Sequence, residues 1–363
     1  TTEPSGDLEP LKISLSLPAT GPLAPNGDGN KAGFEFYFEQ NGNTAGGRPV
    51  EIITSDTQGA PDVAVQEAQQ ALERDGVDVL AGYVSSAAAL AVRDLAVRAE
   101  VPLVVTQAAT GQLVAEDDPA SQWVTQAIAP FDATFVPITE QAIEDGATNI
   151  VFMGSDYEAG YDAEAATQEA AAANGATVVD SIFAPLGTQD FAPLFGSVPD
   201  DVDAVVAFFG GTDAVRFVEQ YNDFGLAGDV PLYSHWALTI EPLLEQMTAE
   251  SAAGIVTLQE YSASIDNPAN SDFIVAWTEV NGETPNAWNE QGYVAAMAID
   301  TALSSDPSLE GAALADAIHA VQLDAPRGTV TFTSNGRVQA PFYRATVEEA
   351  DGGLANIISG ELD

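Results

Sequence analysis

The sequence contains no cysteine and only two histidines, His235 and His319. Disulfides, thiolate metal sites, iron–sulfur clusters and cysteine nucleophiles are therefore excluded, and a metal site built from several histidines is improbable. We expect neither a bound metal nor a cofactor. Long apolar segments are also missing, because no uninterrupted run approaches the roughly 18 residues that a membrane-spanning helix needs.

Positive charge is scarce. Ten Lys and Arg stand against 55 Asp and Glu, which gives a formal net charge of −45. Such a chain repels phosphate backbones and anionic lipid headgroups, so nucleic acid is not an expected partner. The acidic residues are scattered along the chain instead of forming one tail, and this dispersion is typical of a solvated surface.

The 363 residues correspond to about two domains at roughly 150 residues each. Residues 1–10 have no periodicity and contain Pro4, Gly6 and Pro10, which favours a flexible leader. The polar beginning Thr1-Thr2-Glu3 is unlike a signal peptide, so we expect a mature chain from which that peptide has been removed.

From Leu11 onward, short apolar runs alternate with helical patterns, which predicts an α/β protein with parallel sheets covered by helices on both faces. A helix over 61–75 is predicted to end at Gly76, and Ser85-Ser86 is predicted to cap the next helix. The same alternation begins again after Pro130, so a second sheet of the same kind is expected. The predicted strands are 11–17, 50–54, 77–81, 101–106, 149–153, 176–183, 203–209, 230–235, 328–333 and 339–347.

Further helices are predicted over 161–174, 286–303 and 309–321, and the chain is predicted to be irregular beyond Tyr261, through 266–268. A helix opened by Asp132 contains Pro137, which we interpret as a first-turn kink.

Enzyme signatures are absent from the sequence. The Gly27–Gly33 segment follows a strand, but its G-x-G-x-x-x-G spacing is one residue too long for a dinucleotide loop, so a tight strand-to-helix turn is favoured. His319 lies mid-helix among apolar residues and is expected to be structural. His235 ends a predicted strand, so a hydrolase or lyase that uses it as a base remains a rival hypothesis, although no nucleophile motif accompanies it.

Ligands of open parallel sheets bind beyond the carboxyl ends of the strands. The corresponding loops are rich in small, hydroxyl and aromatic residues and poor in cations, which favours a binding site over a reaction centre. Ser85, Ser86 and Thr110 are predicted at helix N-termini, where free N–H groups receive a carboxylate without Lys or Arg. The loops concerned are 18–26, 83–86, 107–110, 155–161, 210–213 and 235–236.

Segments 11–23 and 47–51 resemble the opening of type I periplasmic binding proteins, specifically the branched-chain amino-acid (Leu/Ile/Val) binding family of ABC-transporter solute-binding proteins. The resemblance continues in order along nearly the whole chain. Its other segments are 75–82, 101–104, 108–110, 156–157, 225–226, 291–293 and 326–328.

The resemblance implies two doubly wound lobes in the periplasmic-binding-protein type I, or Venus-flytrap, arrangement, joined by a three-crossing hinge. It places lobe one at 11–127 and 260–328 and lobe two at 128–259 and 329–363. It also implies secretion, an extracytoplasmic location, delivery of the ligand to an ABC permease, and membrane contact only through a lipid-anchored N-terminus.

The resemblance further implies that Ser85, Ser86, Ala108 and Thr110 receive the ligand carboxylate. Amino-acid binders of this family usually supply an acidic residue for the ligand ammonium from the loop that here contains His235 and Trp236, and that carboxylate is missing. An aromatic or apolar organic acid is therefore favoured, since a buried ammonium without an anionic partner is costly. The residues assigned to the ligand in this second half are Tyr157, Tyr161, Phe209, Gly211, Asp213, His235 and Trp236, with Tyr83 added from the first.

Two alternatives remain open at this point. Asp213 is a substitute partner for an ammonium group, so a branched-chain or other amino acid is a second ligand class. The other is a cytosolic ligand-sensing regulator built on the same fold, which is disfavoured because such regulators usually carry a basic DNA-binding module or a partner protein, and this chain has no basic segment. The segment 160–163 resembles that of family members that bind aromatic acids, which supports the first ligand class.

Overall fold

The computed structural model of the chain describes residues 8–350 and 353–362. Most of the predicted leader, residues 1–7, lies outside the described residues. The chain divides into two compact units: unit 1 contains the described part of Thr1–Ala129 together with Asn267–Ala340, and unit 2 contains Pro130–Asp266 with the described part of Pro341–Asp363. The backbone therefore passes from one unit to the other three times.

The last boundary differs from the predicted division, which placed 329–340 in lobe two. Strand Gly328–Phe332 pairs antiparallel with Gln322–Ala325 on one side and with Val338–Gln339 on the other. This small sheet stays with unit 1 because its turn is bonded there, where the backbone N–H of Gln126 donates to the carbonyl oxygen of Gly336. Residues 260–266, predicted in lobe one, belong to unit 2.

Unit 1 is built on a six-stranded sheet that is parallel apart from one edge hairpin. In spatial order its strands are Thr44–Ala45, Arg48–Asp56, Leu11–Leu17, Val79–Gly82, Leu103–Val105 and Val124–Gln126. Its α-helices are Ala24–Gln40, Pro61–Gln70, Ser86–Ala99, Pro268–Asn281, Ala287–Leu303 and Gly311–His319. A π-helical turn, Ala71–Asp75, and two 3-10 turns, Gly111–Val114 and Pro119–Trp123, complete it.

Local sequence signals account for several helix ends in unit 1. Gly76 takes the left-handed conformation, with φ of 63°, at the predicted helix end. Asn286 and Asn289 form a reciprocal capping box at the start of Ala287–Leu303. Helix Pro268–Asn281 is not predicted from the sequence, which indicates irregular chain at Asn267-Pro268. In the structure Asn267 caps this helix and Pro268 occupies its first turn.

Unit 2 is built on a seven-stranded sheet. Five of its strands are parallel, as predicted, and two C-terminal strands run antiparallel at one edge, so the sheet is mixed. In spatial order the strands are Gly353–Leu362, Phe342–Ala350, Val256–Gln259, Leu232–His235, Ala204–Phe208, Asn149–Ser155 and Thr177–Ala184. The helices are Phe131–Glu144, Glu158–Ala173, Ala192–Phe195, Gly211–Asp223, Glu241–Leu244 and Ala249–Ala252, with a 3-10 turn at Trp236–Leu238.

The predicted first-turn kink at Pro137 is wrong. Helix Phe131–Glu144 begins directly after Pro130, so Pro137 lies in its interior. Because proline has no N–H, the carbonyl of Ala133 one turn earlier loses its regular helical donor. In the part of the chain that the structure describes, no helix has both the length and the apolar character that spanning a bilayer requires.

Candidate functional site

Two strand-end loops of unit 1 are brought together by the register of its sheet. Gly82 lies opposite Val105 on the neighbouring strand. Beyond that point the chains stay bonded, since the N–H of Thr106 donates to Gly82 and the N–H of Ala108 donates to the carbonyl of Tyr83 at 3.0 Å. Residues 83–86 and 107–110 therefore lie side by side.

The first turn of helix Ser86–Ala99 faces this pair of loops. Ser85 is the N-cap, and its hydroxyl oxygen accepts from the N–H of Ala88 at 3.4 Å, as predicted. The next residue, Ser86, is buried and is the first residue of the helix. The first N–H groups of a helix have no partner within it, so this turn presents donors to a ligand.

Thr110 contributes a second hydroxyl from the neighbouring loop. It is fully buried and caps the 3-10 turn Gly111–Val114 by accepting from the N–H of Gln112. An accepting hydroxyl keeps its own proton for donation. Neither 83–86 nor 107–110 contains a Lys or Arg, so neutral dipoles are the donors these loops offer.

Gln126 stabilises the loop 107–110 through two side-chain hydrogen bonds. Its side-chain amide donates to the carbonyl oxygens of Ala108 at 2.7 Å and Thr110 at 3.1 Å. No sequence signal pointed to this residue, because its role depends on the pairing of strands Leu103–Val105 and Val124–Gln126.

Two sequence-based assignments in unit 1 need correction. The N–H of Ala108 was expected to receive the ligand carboxylate, but it is already bonded to Tyr83. Tyr83 was expected to line the ligand pocket, but its side chain is fully buried in the apolar cluster of unit 1 beside Ala89 and Val92. Its backbone has φ of 66°, a left-handed conformation that turns the chain sharply at the strand end.

Aromatic rings cluster at the strand ends of unit 2. Tyr157 precedes helix Glu158–Ala173 and lies 6.2 Å, between ring centroids, from Phe208. Phe208 also contacts Phe131 at 5.0 Å and His235 at 5.6 Å. Burial, with the charge of Asp213 as a lesser cause, raises the pKa of Tyr157, so its hydroxyl stays protonated at neutral pH and can donate.

Phe209 does not belong to this aromatic cluster. It stacks on Phe217 at 4.4 Å and meets Phe191 edge-on at 5.4 Å, so it belongs to the core on the other face of the sheet. Successive residues of a strand face opposite sides, and the ring on the tyrosine side is therefore Phe208. Phe209, the residue chosen from the sequence, thus faces away from Tyr157.

His235 is enclosed by rings. It lies 5.3 Å from Phe135, 5.8 Å from Phe131 and 4.9 Å from Trp236. Its Nδ1 accepts from the N–H of Ala237 at 3.2 Å and so caps the 3-10 turn that carries Trp236. Burial lowers the pKa of His235 to about 3, so the ring is neutral at physiological pH.

The indole of Trp236 is 2% exposed and its Nε1 donates to Glu260 at 3.0 Å. Glu260 follows strand Val256–Gln259, which pairs with the strand that ends at His235. Glu260 was missed from the sequence, because 24 residues separate it from its partner.

The carboxylate of Asp213 is engaged on both oxygens. Oδ2 accepts from the N–H of Gly187 and Oδ1 from Arg216, each at 2.7 Å. Because Arg216 already neutralises Asp213, there is no reason to assign Asp213 to the ammonium group of a ligand. Gly211 begins the same helix with φ of 58°, a conformation that suits glycine.

Tyr161 points away from the aromatic cluster. It is 45% exposed, packs its ring on Phe183 at 5.1 Å, and donates from its hydroxyl to Asp156. That hydrogen bond is the main cause that raises the pKa of Tyr161.

Comparison with known proteins identifies the family of this chain. Residues 10–353 match the family described as periplasmic binding protein. The chain belongs to this family. The Leu/Ile/Val-binding protein homolog 6 of Brucella melitensis is 29% identical over 94% of this chain and 89% of its own. An ABC transporter substrate-binding protein from Sphaerobacter thermophilus is 32% identical, with a TM-score of 0.91 and 98% of each chain covered.

A solute-binding protein of an ABC transporter from Rhodopseudomonas palustris HaA2, solved in complex with p-hydroxybenzoic acid, is 28% identical, with a TM-score of 0.90 and coverage of 98% of this chain and 97% of its own. The periplasmic binding protein described here is thus a type I member of the branched-chain amino-acid group and an ABC transporter substrate-binding protein. The predicted α/β architecture is confirmed. Among the described residues, no group of three or more His, Asp or Glu side chains is placed to hold a metal ion.

Proposed function

We propose that this binding protein takes up a small organic carboxylate outside the cytoplasm and delivers it to an ABC permease. The observation that carries the proposal is the helix terminus at Ser86: the first turn of helix Ser86–Ala99 has free N–H groups, the neighbouring loop carries the Thr110 hydroxyl, and neither loop contains a cation. Helix N-termini bind anions through this combination of oriented N–H groups and dipole.

A receptor made of dipoles suits a chain with a net charge of −45. Isolated cations on such a surface are drawn into ion pairs, as Arg93 is with Asp118 at 3.0 Å. Fixed N–H and O–H donors, in contrast, are not drawn into ion pairs with the surrounding carboxylates and remain directed at the ligand. The anion is thereby held locally against the long-range repulsion of the protein.

The strand ends of unit 2 supply aromatic surface for the body of the ligand. Tyr157, Phe208 and Trp236 present rings there, while the carboxylates of Asp156 and Asp213 are engaged by Tyr161 and Arg216. We therefore infer that the ligand is an aromatic or apolar acid.

A branched-chain amino acid is the second candidate. It is favoured by the Brucella relative, whose name is that of a Leu/Ile/Val-binding protein homolog. This ligand needs an anionic partner for its ammonium group, and the acidic group next to the aromatic cluster is Glu260, which accepts from Trp236. The two classes differ in the ammonium group, which leucine has and benzoate lacks. The relative affinities for these two ligands therefore distinguish the two candidates.

Calorimetric titration with benzoate, cyclohexanecarboxylate, leucine and benzamide tests both candidates. We expect the first two to bind and benzamide to fail, because it lacks the negative charge. Ser86→Ala and Thr110→Val should each weaken binding about ten- to hundredfold, the effect of one hydrogen bond to a charged group.

Ser121→Ala is a matched control, since this buried serine of unit 1 donates to the carbonyl of Ala115 instead. Tight binding of leucine with none of benzoate would favour the second candidate. Unchanged affinity in both hydroxyl variants would contradict the assigned carboxylate receptor.

A further inference from the structure

Gln126 lies where three segments of unit 1 meet. It is fully buried and is the last residue of strand Val124–Gln126, and the chain leaves unit 1 soon afterwards, after Ala129. Its side chain bonds residues 107–110, which we call the receptor loop. Its backbone bonds residues 333–336, which we call the Gly336 turn.

The side-chain amide of Gln126 donates both of its protons to the receptor loop. The acceptors are the carbonyl oxygens of Ala108 at 2.7 Å and Thr110 at 3.1 Å. The reverse orientation of the amide would place its oxygen against these two carbonyl oxygens, so the neighbours fix the orientation. Because Thr110 is held through its own carbonyl group, these bonds fix the backbone that carries the Thr110 hydroxyl.

The backbone of Gln126 holds the Gly336 turn. Its N–H donates to the carbonyl oxygen of Gly336 at 2.8 Å, and Gln126 and Arg337 are partners in a parallel bridge. Strand Val338–Gln339 follows, and the chain leaves unit 1 for the last time after Ala340. The residue that holds the receptor loop therefore also holds the segment that leads to this crossing.

The Gly336 turn packs tightly against strand Val124–Gln126. Gly336 has φ of 79°, and a Cβ there would lie 1.8 Å from the carbonyl oxygen of Val124. A further bond joins the turn to the segment after the receptor loop, since the side chain of Asn335 donates to the carbonyl oxygen of Val114. Neither the turn nor the loop can move far without straining bonds to the other.

We propose that Gln126 is a positioning residue that couples carboxylate binding at the receptor loop to the order of the Gly336 turn, and so to the segment before the last crossing. This inference rests on the proposed function and deepens it. Coupling between two sites is reciprocal. A ligand that orders the receptor loop therefore also orders the turn, and a substitution that disturbs the turn weakens ligand binding.

Hydrogen exchange of the whole chain, with and without saturating benzoate, tests the coupling; leucine is used if benzoate does not bind. The amides of Thr333, Gly336 and Arg337 are hydrogen-bonded within the turn and its closing residue, so their exchange reports its opening. We expect the ligand to slow this exchange about threefold or more. Gln126→Met keeps the side-chain length and the backbone bond but removes both amide donors. It should abolish the effect of ligand on the turn and raise the Kd about tenfold.

Gln141→Met is the matched control. Gln141 is a buried glutamine of unit 2 whose side chain also makes two hydrogen bonds, donating to Asp145 at 2.9 Å and accepting from Arg344 at 2.7 Å. Its substitution removes the same groups away from the receptor loop. The Kd and the effect of ligand on the turn should both stay unchanged.

Gly336→Ala tests the reverse direction, because it disturbs the turn and changes no atom of the receptor loop. It should raise the Kd about threefold or more. Gly282→Ala is its control: Gly282 of unit 1 has a similar φ of 75°, but a Cβ there would meet no atom within 4 Å. If Gly336→Ala does not fold, Gln126→Met alone decides the outcome.

Ligand binding without slower exchange in the Gly336 turn would overturn the inference and leave the proposed function intact. Slower exchange that is retained in Gln126→Met would also overturn it, and would assign the link to Asn335 instead. A chain that binds neither benzoate nor leucine contradicts both the inference and the proposed function.

Discussion

The indole Nε1 of Trp236 donates a 3.0 Å hydrogen bond to Oε1 of Glu260, and each of the two side chains is 2% exposed. The two residues follow neighbouring strands, since His235 and Leu258 are register partners. The ring is further stacked on His235, whose Nδ1 caps the turn that carries it. The orientation of Trp236 is therefore set by unit 2 itself, before any ligand arrives.

Replacing Trp236 by phenylalanine should lower both stability and affinity. The variant keeps an aromatic ring but loses the hydrogen bond to Glu260, which as a bond to a charged group contributes about 1.5–3 kcal/mol. Urea unfolding measures the stability, and calorimetry with benzoate measures the Kd.

Trp277→Phe is the matched control for this change. Trp277 is also buried, at 1% exposure, and its Nε1 has no partner among the described residues. Only packing is lost there, so the affinity for benzoate should not change. Equal effects of the two substitutions on affinity would contradict the proposed role of the Glu260 bond in positioning Trp236 for the ligand.

Substitution of Phe208 should change ligand affinity, whereas substitution of Phe209 should change stability. Phe208→Leu removes a ring from the aromatic cluster around Tyr157 and should weaken benzoate binding severalfold through lost ring contacts. Phe209→Leu disturbs the stacked pair with Phe217 and should cost about 1–3 kcal/mol of unfolding free energy while the folded fraction keeps its Kd. The reverse pattern would mean that the ligand lies on the opposite face of this sheet.

Much of the fold follows from local signals in the sequence. Strand Leu11–Leu17 has the predicted bounds, and helix Ala287–Leu303 begins directly after the predicted Asn286. The C-terminal strand Gly353–Leu362 was missed, because it is an edge strand with few buried residues and no clear alternation. Its pairing with Phe342–Ala350 is long-range information that local patterns do not contain.

The candidate site was less predictable, for a related reason. The location of the loops follows from the rule for parallel sheets, but the direction of each side chain depends on strand register. The run 204–209 is apolar throughout, so no polar alternation indicates that Phe208 and Phe209 face opposite sides. The bond from Ala108 to Tyr83 and the brace from Gln126 arise only when adjacent strands pair.

The buried ion pair of Glu290 and Arg327 should be sensitive to loss of one member. The guanidinium Nε lies 2.9 Å from both carboxylate oxygens, both side chains are fully buried, and Nη1 donates to the carbonyl of Ala127 at 3.3 Å. Glu290→Gln is expected to cost about 3–5 kcal/mol in urea unfolding, because a buried charge loses its counter-charge.

The ion pair of Lys31 and Glu35, whose side chains are 45% and 33% exposed, is the control for the buried pair. Lys31→Met should change the unfolding free energy by less than about 0.5 kcal/mol. A similarly small effect for Glu290→Gln would show that the Arg327 charge is compensated by its other contacts.

Glu241 should make stability depend on pH near neutrality. Burial, and to a lesser degree the neighbouring Glu245, raises the pKa of Glu241 from 4.5 to about 7, although a hydrogen bond from Asn356 lowers it. A raised pKa in the folded state means that the folded protein holds this proton more tightly than the unfolded chain does. Stability from this group is therefore full below pH 4.5, falls as the pH rises to about 7, and is constant above that.

Because the Glu241 side chain is not completely covered, solvent reduces the effect to roughly 1–2 kcal/mol. Urea unfolding from pH 4.5 to 8 should show that Glu241→Gln is most stabilising, relative to the unaltered chain, at the upper end of this range. Glu245→Gln is the control, since Glu245 is exposed directly after helix Glu241–Leu244 and its removal relieves only like-charge repulsion. If the two variants had parallel pH profiles, the dependence would arise from the net charge of −45 as a whole and not from Glu241.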